Sequence, residues 1–206
     1  TKPIKMELQL NSEWTFYYLQ KDSDVSYEDT IHKIGKFQTA EGFWQIYSHM
    51  ISPEKLPQNV ALHLFRGDSR AMWEDEENRQ GGSFLIRLQK KRVNKMWERL
   101  LLNLIGEQMP EDINGVVVST RQRVDFIYVW HKTAADPEIR LEIANSIAKV
   151  LELTIKNRID YNPFDTETIG LDSKNLIQYL VEQNGVVEKE VPKQVKPEMK
   201  EPHSNP

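Results

Sequence analysis

The residues best suited to chemistry sit together in segment 71–82. There Trp73 precedes four acidic side chains, Glu74, Asp75, Glu76 and Glu77, and a double glycine, Gly81-Gly82, closes the stretch. A large flat ring beside a carboxylate suits a flat, cationic group that donates hydrogen bonds. The ring stacks on a π-system, and the carboxylate accepts from paired N–H donors. Taken alone, the stretch reads more readily as a solvated acidic turn with Trp73 folded back into the core, because charge runs are usually solvated. A third chemistry is magnesium-dependent hydrolysis on the four carboxylates. It lacks a helix signal that would align them as metal ligands.

A second group stands out by being misplaced. Thr39 suits a helix N-cap, and Phe43, Ile46, Tyr47 and Met50 repeat at i, i+3, i+4, i+7, so they face a core. Trp44 falls about 100° around that helix from the stripe. In a second helix, expected from Val93 to Ile105, the stripe is Val93, Trp97, Leu100, Leu101 and Leu104. Leu102, Glu98 and Arg99 lie off it. An outward tryptophan and an outward leucine are explained by a covering loop or a partner. The five histidines, His32, His49, His63, His131 and His203, show no metal-ligand spacing, and neither a Gly-rich phosphate loop nor a G-x-S-x-G elbow is present.

The elements that must position these groups follow from periodicity. Residues 14–19 alternate and are aromatic-rich, which predicts a strand; Tyr27 closes the polar connector after it. Strands are expected at 60–65 and 83–88, flanking the Trp73 loop, with Gly81-Gly82 supplying the turn chemistry. Residues 115–121 and 125–130 read as a hairpin whose connector carries Arg121 and Arg123 on one side. Asp136-Pro137-Glu138 starts a helix with a core face of Ile139, Ile143, Ile147 and Val150. A strand is expected over 155–161. A last helix is expected over about 173–183, with Leu176, Ile177, Leu180 and Val181 as its stripe and Gly185 as its stop. Strands joined as hairpins with few helices predict an α+β domain, an antiparallel sheet with helices on one face.

Composition narrows the classes. The 206 residues suit one cored domain, 11–183, between a flexible arm, 1–10, anchored by Leu8 and Leu10, and a disordered Pro-, Lys- and Glu-rich tail, 184–206. No apolar run approaches the roughly 18 residues of a membrane span. The start carries no visible secretory signal, and beginning at Thr1 it fits a trimmed N-terminus. There is no cysteine, which excludes disulfides and thiolate zinc and fits a reducing, cytoplasmic setting. Net charge is −4, so any nucleic-acid role rests on a compact local site and not on a basic surface.

As a set, these residues resemble the eukaryotic translation initiation factor 4E family, which binds the 7-methylguanosine cap of mRNA. The matching pieces are Trp14, Phe43-Trp44, Met72-Trp73-Glu74-Asp75, Gly81-Gly82, Leu104-Ile105-Gly106-Glu107, Gly115-Val116-Val117 and Trp130, spread over about residues 10–161. The resemblance implies a curved sheet with helices on its convex face and a cap pocket on its concave face, and no catalysis, cofactor or metal. Tyr27 and Trp73 are then the two faces of an aromatic sandwich around the cationic base. Glu74 accepts from the guanine edge, Trp130 lines the methyl pocket, and Arg121 and Arg123 hold the phosphate bridge. Trp44, Leu102, Glu98, Arg99 and Leu10 become the surface for an adaptor or scaffold helix carrying a tyrosine, on a monomeric protein. Ser26-Tyr27 and Tyr47-Ser48-His49-Met50 are similar to the 4E-homologous-protein branch, associated with repression; a translation-promoting factor is the alternative.

The chain departs from the family pattern in places. Phe126 stands where a lysine is frequent and Ser83 where an arginine is frequent, so weaker cap affinity is expected. Glu98 and Arg99 replace a leucine and an acid, which disfavours a standard scaffold helix. The resemblance assigns no role to the stretch from 173 onward.

Overall fold

In the computed structural model the described residues are 7–22, 24–58, 60–165 and 175–192. Among them nine strands form one antiparallel sheet: β1 (Gln9–Gln20), β2 (Ile31–Thr39), β3 (Val60–Arg66), β4 (Gly82–Leu88), β5 (Ile113–Thr120), β6 (Asp125–His131), β7 (Arg158–Pro163), β8 (Asn175–Glu182) and β9 (Gly185–Pro192). Their order is β2-β1-β3-β5-β6-β4-β7-β8-β9. The sheet is curved, and α1 (Ala40–Tyr47), α2 (Val93–Ile105) and α3 (Pro137–Val150) accompany it. The α+β expectation holds.

Local chemistry sets the helix ends as expected at their starts. Thr39 accepts from the Gly42 N–H, and Asp136 accepts from the N–H groups of Glu138 and Ile139 ahead of Pro137. Gly106 suits the left-handed position after α2 by its residue type, but it does not take it. Gly106 keeps a negative φ, and the left-handed residue is Glu107 (φ 53°). The Gln108 N–H reaches the Asn103 carbonyl and the Glu107 N–H reaches Leu104, the bond pattern of a Schellman end. The Glu107 carboxylate accepts from Asn11 and Ser12 of β1, which ties the strand to the helix end.

The core lies between the helices and one face of the sheet. Trp14, Phe16, Leu64, Val116, Val129, Phe84 and Ile159 come from the strands, and Phe43, Trp97, Leu100, Leu101, Ile143 and Ile147 come from the helices. Phe16, Phe37, Phe43 and Tyr47 stack at centroid separations of 5.1–6.4 Å.

The structure corrects several sequence expectations. The helix expected over 173–183 is strand β8, paired with β9 in register Glu182↔Gly185. Leu176, Ile177, Leu180 and Val181 fit a helical stripe, but the sheet uses the period of two. Ile177 and Tyr179 are buried against the core. Gly185 (φ 136°) does not stop a helix; it leaves the hairpin turn at Gln183 and Asn184. The tail therefore is strand to Pro192, and the rest of it lies outside the described residues. Its balanced charge hid a structural role. Glu188 on β9 accepts from Arg140 of α3 (3.2 Å) and from the Tyr179 hydroxyl (2.5 Å), and Arg140 is buried. The arm expected over 1–10 already belongs to β1 from Gln9; residues 1–6 lie outside the described set. Finally, β3 and β4 are not a hairpin, since β5 and β6 lie between them.

Glu188→Ala should therefore lower stability by about 1–3 kcal/mol, because it strands the Arg140 charge away from water. Urea unfolding followed by far-UV circular dichroism measures this. No change would mean that β9 is bound without the ion pair.

Candidate nucleotide-binding face

The pleat lays out two faces, and the face away from the main core carries the candidate site. Across β1, β3, β5, β6, β4 and β7 the register places Thr15, Phe65, Gly115, Trp130, Ser83 and Asn162 in one row. Tyr17, His63, Val117, Tyr128, Leu85 and Asp160 form the next row. Phe126 and Arg87 face each other one step further along. Tyr17, Ala61, Phe65, Ala71 and Val117 bury one another as a small apolar floor, with Tyr128 and Trp130 against it.

Trp130 is held by its neighbours. Phe65 meets it edge-on at 5.7 Å and Phe164 at 4.4 Å. Phe65 lies where a Cβ on Gly115 would come within 2.3 Å of its ring, so glycine is required there for close approach.

The Trp73 loop spans residues 67–81 and crosses the width of two strands. Trp73 is 56% exposed, so it does not fold back into the core as the acidic-turn reading expected. The loop's backbone is fixed by Asn78, which is fully buried. Its amide donates to the carbonyls of Arg70 and Met72, both at 2.8 Å, and its oxygen accepts from Asn114. Asn114 also donates to Ser69. Sequence reasoning missed Asn78 and Asn114. The available signal was an uncharged amide at the end of an acidic run, three residues before a double glycine.

The Tyr27 loop is brought to the Trp73 loop by two sets of bonds. The Tyr27 hydroxyl donates to the Ala71 carbonyl at 3.1 Å. The Arg70 guanidinium pairs with Glu28 at 2.8 Å and with Asp75 at 3.5 Å. The Tyr27 ring is half exposed while its hydroxyl points inward. Burial, with the Glu74 carboxylate and Tyr128 close by, raises the hydroxyl's pKa, so it stays protonated at neutral pH. This brings Tyr27 to the loop that carries exposed Trp73 and Glu74.

The turn between β5 and β6 is basic. Arg121 donates to the Gln58 carbonyl at 2.7 Å, and Arg123 is exposed in the β5–β6 turn. Phe126 stacks on Tyr128 at 6.3 Å, so the lysine expected from the family pattern is replaced by an apolar ring. A cavity of about 450 Å³ runs between Tyr27 and Arg121. His63 lines it, and burial pushes its imidazole down to about 3, so it is neutral. Among the described residues no group of His, Asp or Glu side chains converges to hold a metal ion.

The convex side carries the second cluster. Trp44 is 45% exposed and Leu102 is 38% exposed. Trp44 packs edge-on against Phe43 and Tyr47, and burial, with the Glu98 carboxylate close by, raises the pKa of the Tyr47 hydroxyl. Leu102 is one helical turn from Glu98, on the same side. Arg99 turns away and pairs with Glu152 at 2.7 Å. Leu10 is partly buried against the main core.

Comparison with known proteins gives consistent matches. The family model described as "Eukaryotic initiation factor 4E" matches residues 9–178. The rice (Oryza sativa subsp. japonica) protein "Eukaryotic translation initiation factor NCBP" is 40% identical over 142 residues, 68% of this chain. The match spans 63% of the rice protein's length. The Ascaris suum eIF4E-3 structure, solved with an m2,2,7G cap, superposes with TM-score 0.74 at 30% identity, covering 78% of this chain and 93% of that one. The Caenorhabditis elegans eIF4E-3 structure, solved with the 4E-binding protein Mextli and a cap analog, gives 0.75 at 27% identity, over 82% and 98%.

Proposed function

The chain belongs to the eukaryotic initiation factor 4E family, and on that premise we propose that its concave face binds the 7-methylguanosine cap of mRNA. The observation that supports this most is the bonding of the Tyr27 loop to the loop that carries exposed Trp73, beside a face that holds Trp130 and whose cavity runs from Tyr27 to Arg121. Methylation at N7 makes guanine cationic. Two electron-rich rings then hold it better than they hold neutral guanine. Glu74 accepts from the N1–H and the exocyclic amine, a charge-assisted pair. Trp130, wedged between Phe65 and Phe164, lines the methyl group. Arg121 and Arg123 take the phosphates.

The role in translation is repression through a partner adaptor, in the cytoplasm and as a monomer. The support is the convex cluster. A partner helix seated on Trp44 and Leu102 also meets Glu98 in place of the leucine that suits a general scaffold helix, while Arg99, standing where an acid suits that helix, is drawn aside by Glu152.

Glu74→Gln tests the cap site. It removes the negative charge and turns one acceptor into a donor. Affinity for 7-methylguanosine triphosphate should fall about tenfold or more, and the preference over unmethylated GTP should shrink. Calorimetric titration of both nucleotides reads the two effects. A variant that still binds and discriminates like the parent places the carboxylate outside the site.

A further inference from the structure

The Trp73 loop carries one charge that the cap reading leaves unused. Arg70 is the only basic residue between Arg66 and Arg79, set among Asp68, Glu74, Asp75, Glu76 and Glu77. A loop that offers a ring and a carboxylate to a cationic base gains nothing from a cation in the pocket. The guanidinium is turned elsewhere. Its Nη1 donates to Glu28 at 2.8 Å, and its Nη2 lies 3.5 Å from Asp75. The side chain is 32% exposed, with both outer nitrogens facing carboxylates.

The two carboxylates act differently. Asp75 belongs to the same loop as Arg70 and aims the guanidinium. Glu28 belongs to the other loop and directly follows Tyr27. Each loop is fixed within itself. The buried Asn78 amide holds the Arg70 carbonyl at 2.8 Å. On the other side, the Thr30 hydroxyl donates to the Tyr27 carbonyl at 2.6 Å, and the Asp29 N–H donates to the Ser26 carbonyl at 3.1 Å. The Tyr27 hydroxyl crosses the gap between the loops to the Ala71 carbonyl, at the tip of the ring. The Arg70–Glu28 pair crosses it again, one residue along the chain from Tyr27. A ring tied by its hydroxyl alone can pivot, and a second tie one residue away restricts that pivot.

Resting on the cap reading above, we propose that Arg70 and Glu28 form a clasp that holds the Tyr27 and Trp73 loops at the spacing of the stacked base. Arg70 is a positioning residue, touching neither base nor phosphate. It orders the two walls before the ligand arrives, which lowers the cost of binding. Both walls depend on that spacing, so the clasp acts on the base and is indifferent to the phosphates. Exposed ion pairs are individually weak, which suits a clasp that must open to admit and release a nucleotide.

Calorimetry on the full chain with two probes, 7-methylguanosine and 7-methylguanosine triphosphate, tests this. Arg70→Gln should weaken both probes by the same factor, about threefold, within the range of one exposed ion pair. Glu28→Gln should do the same from the other loop. The double variant should lose no more than either single one, because the same pair is broken in all three. Arg70→Lys keeps the charge toward Glu28 and should recover part of the loss. The melting temperature without ligand should stay at the parent's value in every variant, since the pair is exposed. A loss confined to the triphosphate would make Arg70 a phosphate contact. Losses that add in the double variant would make the two residues independent, and a lowered melting temperature would make the pair a prop of the fold. Any of these results, no recovery in Arg70→Lys, or parental binding in Arg70→Gln, overturns the clasp. If the parent binds neither probe, the cap reading itself fails and takes the clasp with it, a result that the variants do not mimic.

Discussion

Trp73→Ala should cost about 1–3 kcal/mol of affinity for 7-methylguanosine triphosphate, the usual worth of one base–aromatic stack. The loss should come without unfolding. Trp73 is exposed, and its loop is held by Asn78 through backbone carbonyls that the mutation leaves in place. The opposite wall gives a contrasting expectation. Tyr27→Trp should tighten binding, since a larger π-face is a better partner for a cation. It also removes the hydroxyl that reaches the Ala71 carbonyl, so the gain is smaller than ring size alone implies. Calorimetry avoids the fluorescence change that loss of a tryptophan brings. Full affinity in Trp73→Ala would remove the sandwich from this face.

Trp44→Ala should have the largest effect on partner binding and almost none on the cap. An exposed tryptophan centred on a docking surface is a typical hot spot, worth about 2–4 kcal/mol to a partner. Trp44 packs only by its edge on Phe43 and Tyr47, so stability should change by no more than about 1 kcal/mol. The companion variant Glu98→Leu with Arg99→Glu should raise affinity for a general scaffold peptide. The structure adds a reason to expect a modest gain: Arg99 is already neutralised by Glu152 in an exposed pair, and such pairs are weak. Peptide titration on the three proteins checks both. If the parent binds the scaffold peptide as tightly as the double variant, the promoting role replaces the repressing one.

The sequence was legible where one side of an element is strongly patterned. The α2 stripe is buried in full, Val93 through Leu104, because a helix between sheet and solvent has one face to hide. Trp44 and Leu102 are exposed as their positions on the wheel required. Strand β2 was not legible. It is an edge strand pairing only with β1, and its His32, Lys33, Ile34 and Lys36 suit an edge that stays wet. The β8–β9 hairpin was misread because a run of Leu, Ile and Val satisfies both periods. The discriminating signal was Gly185, whose left-handed φ of 136° marks the exit from a tight turn at Gln183 and Asn184. The bonds among Asn78, Asn114 and Ser69 join residues distant in sequence, so no local pattern could announce them. The same holds for the pairing of Tyr27 with the Trp73 loop, which bonds residues more than 40 positions apart in sequence.

Strand β9 has a consequence beyond the Arg140 pair. It covers the edge of β8, an apolar strand that would otherwise present an open row of N–H and C=O groups. Such an open edge is a template for pairing with another copy. The outer strand presents Glu188, Lys189 and Glu190 and ends at Pro192, which cannot extend a ladder. Shortening the chain after Glu182 should therefore promote self-association, read by size-exclusion chromatography.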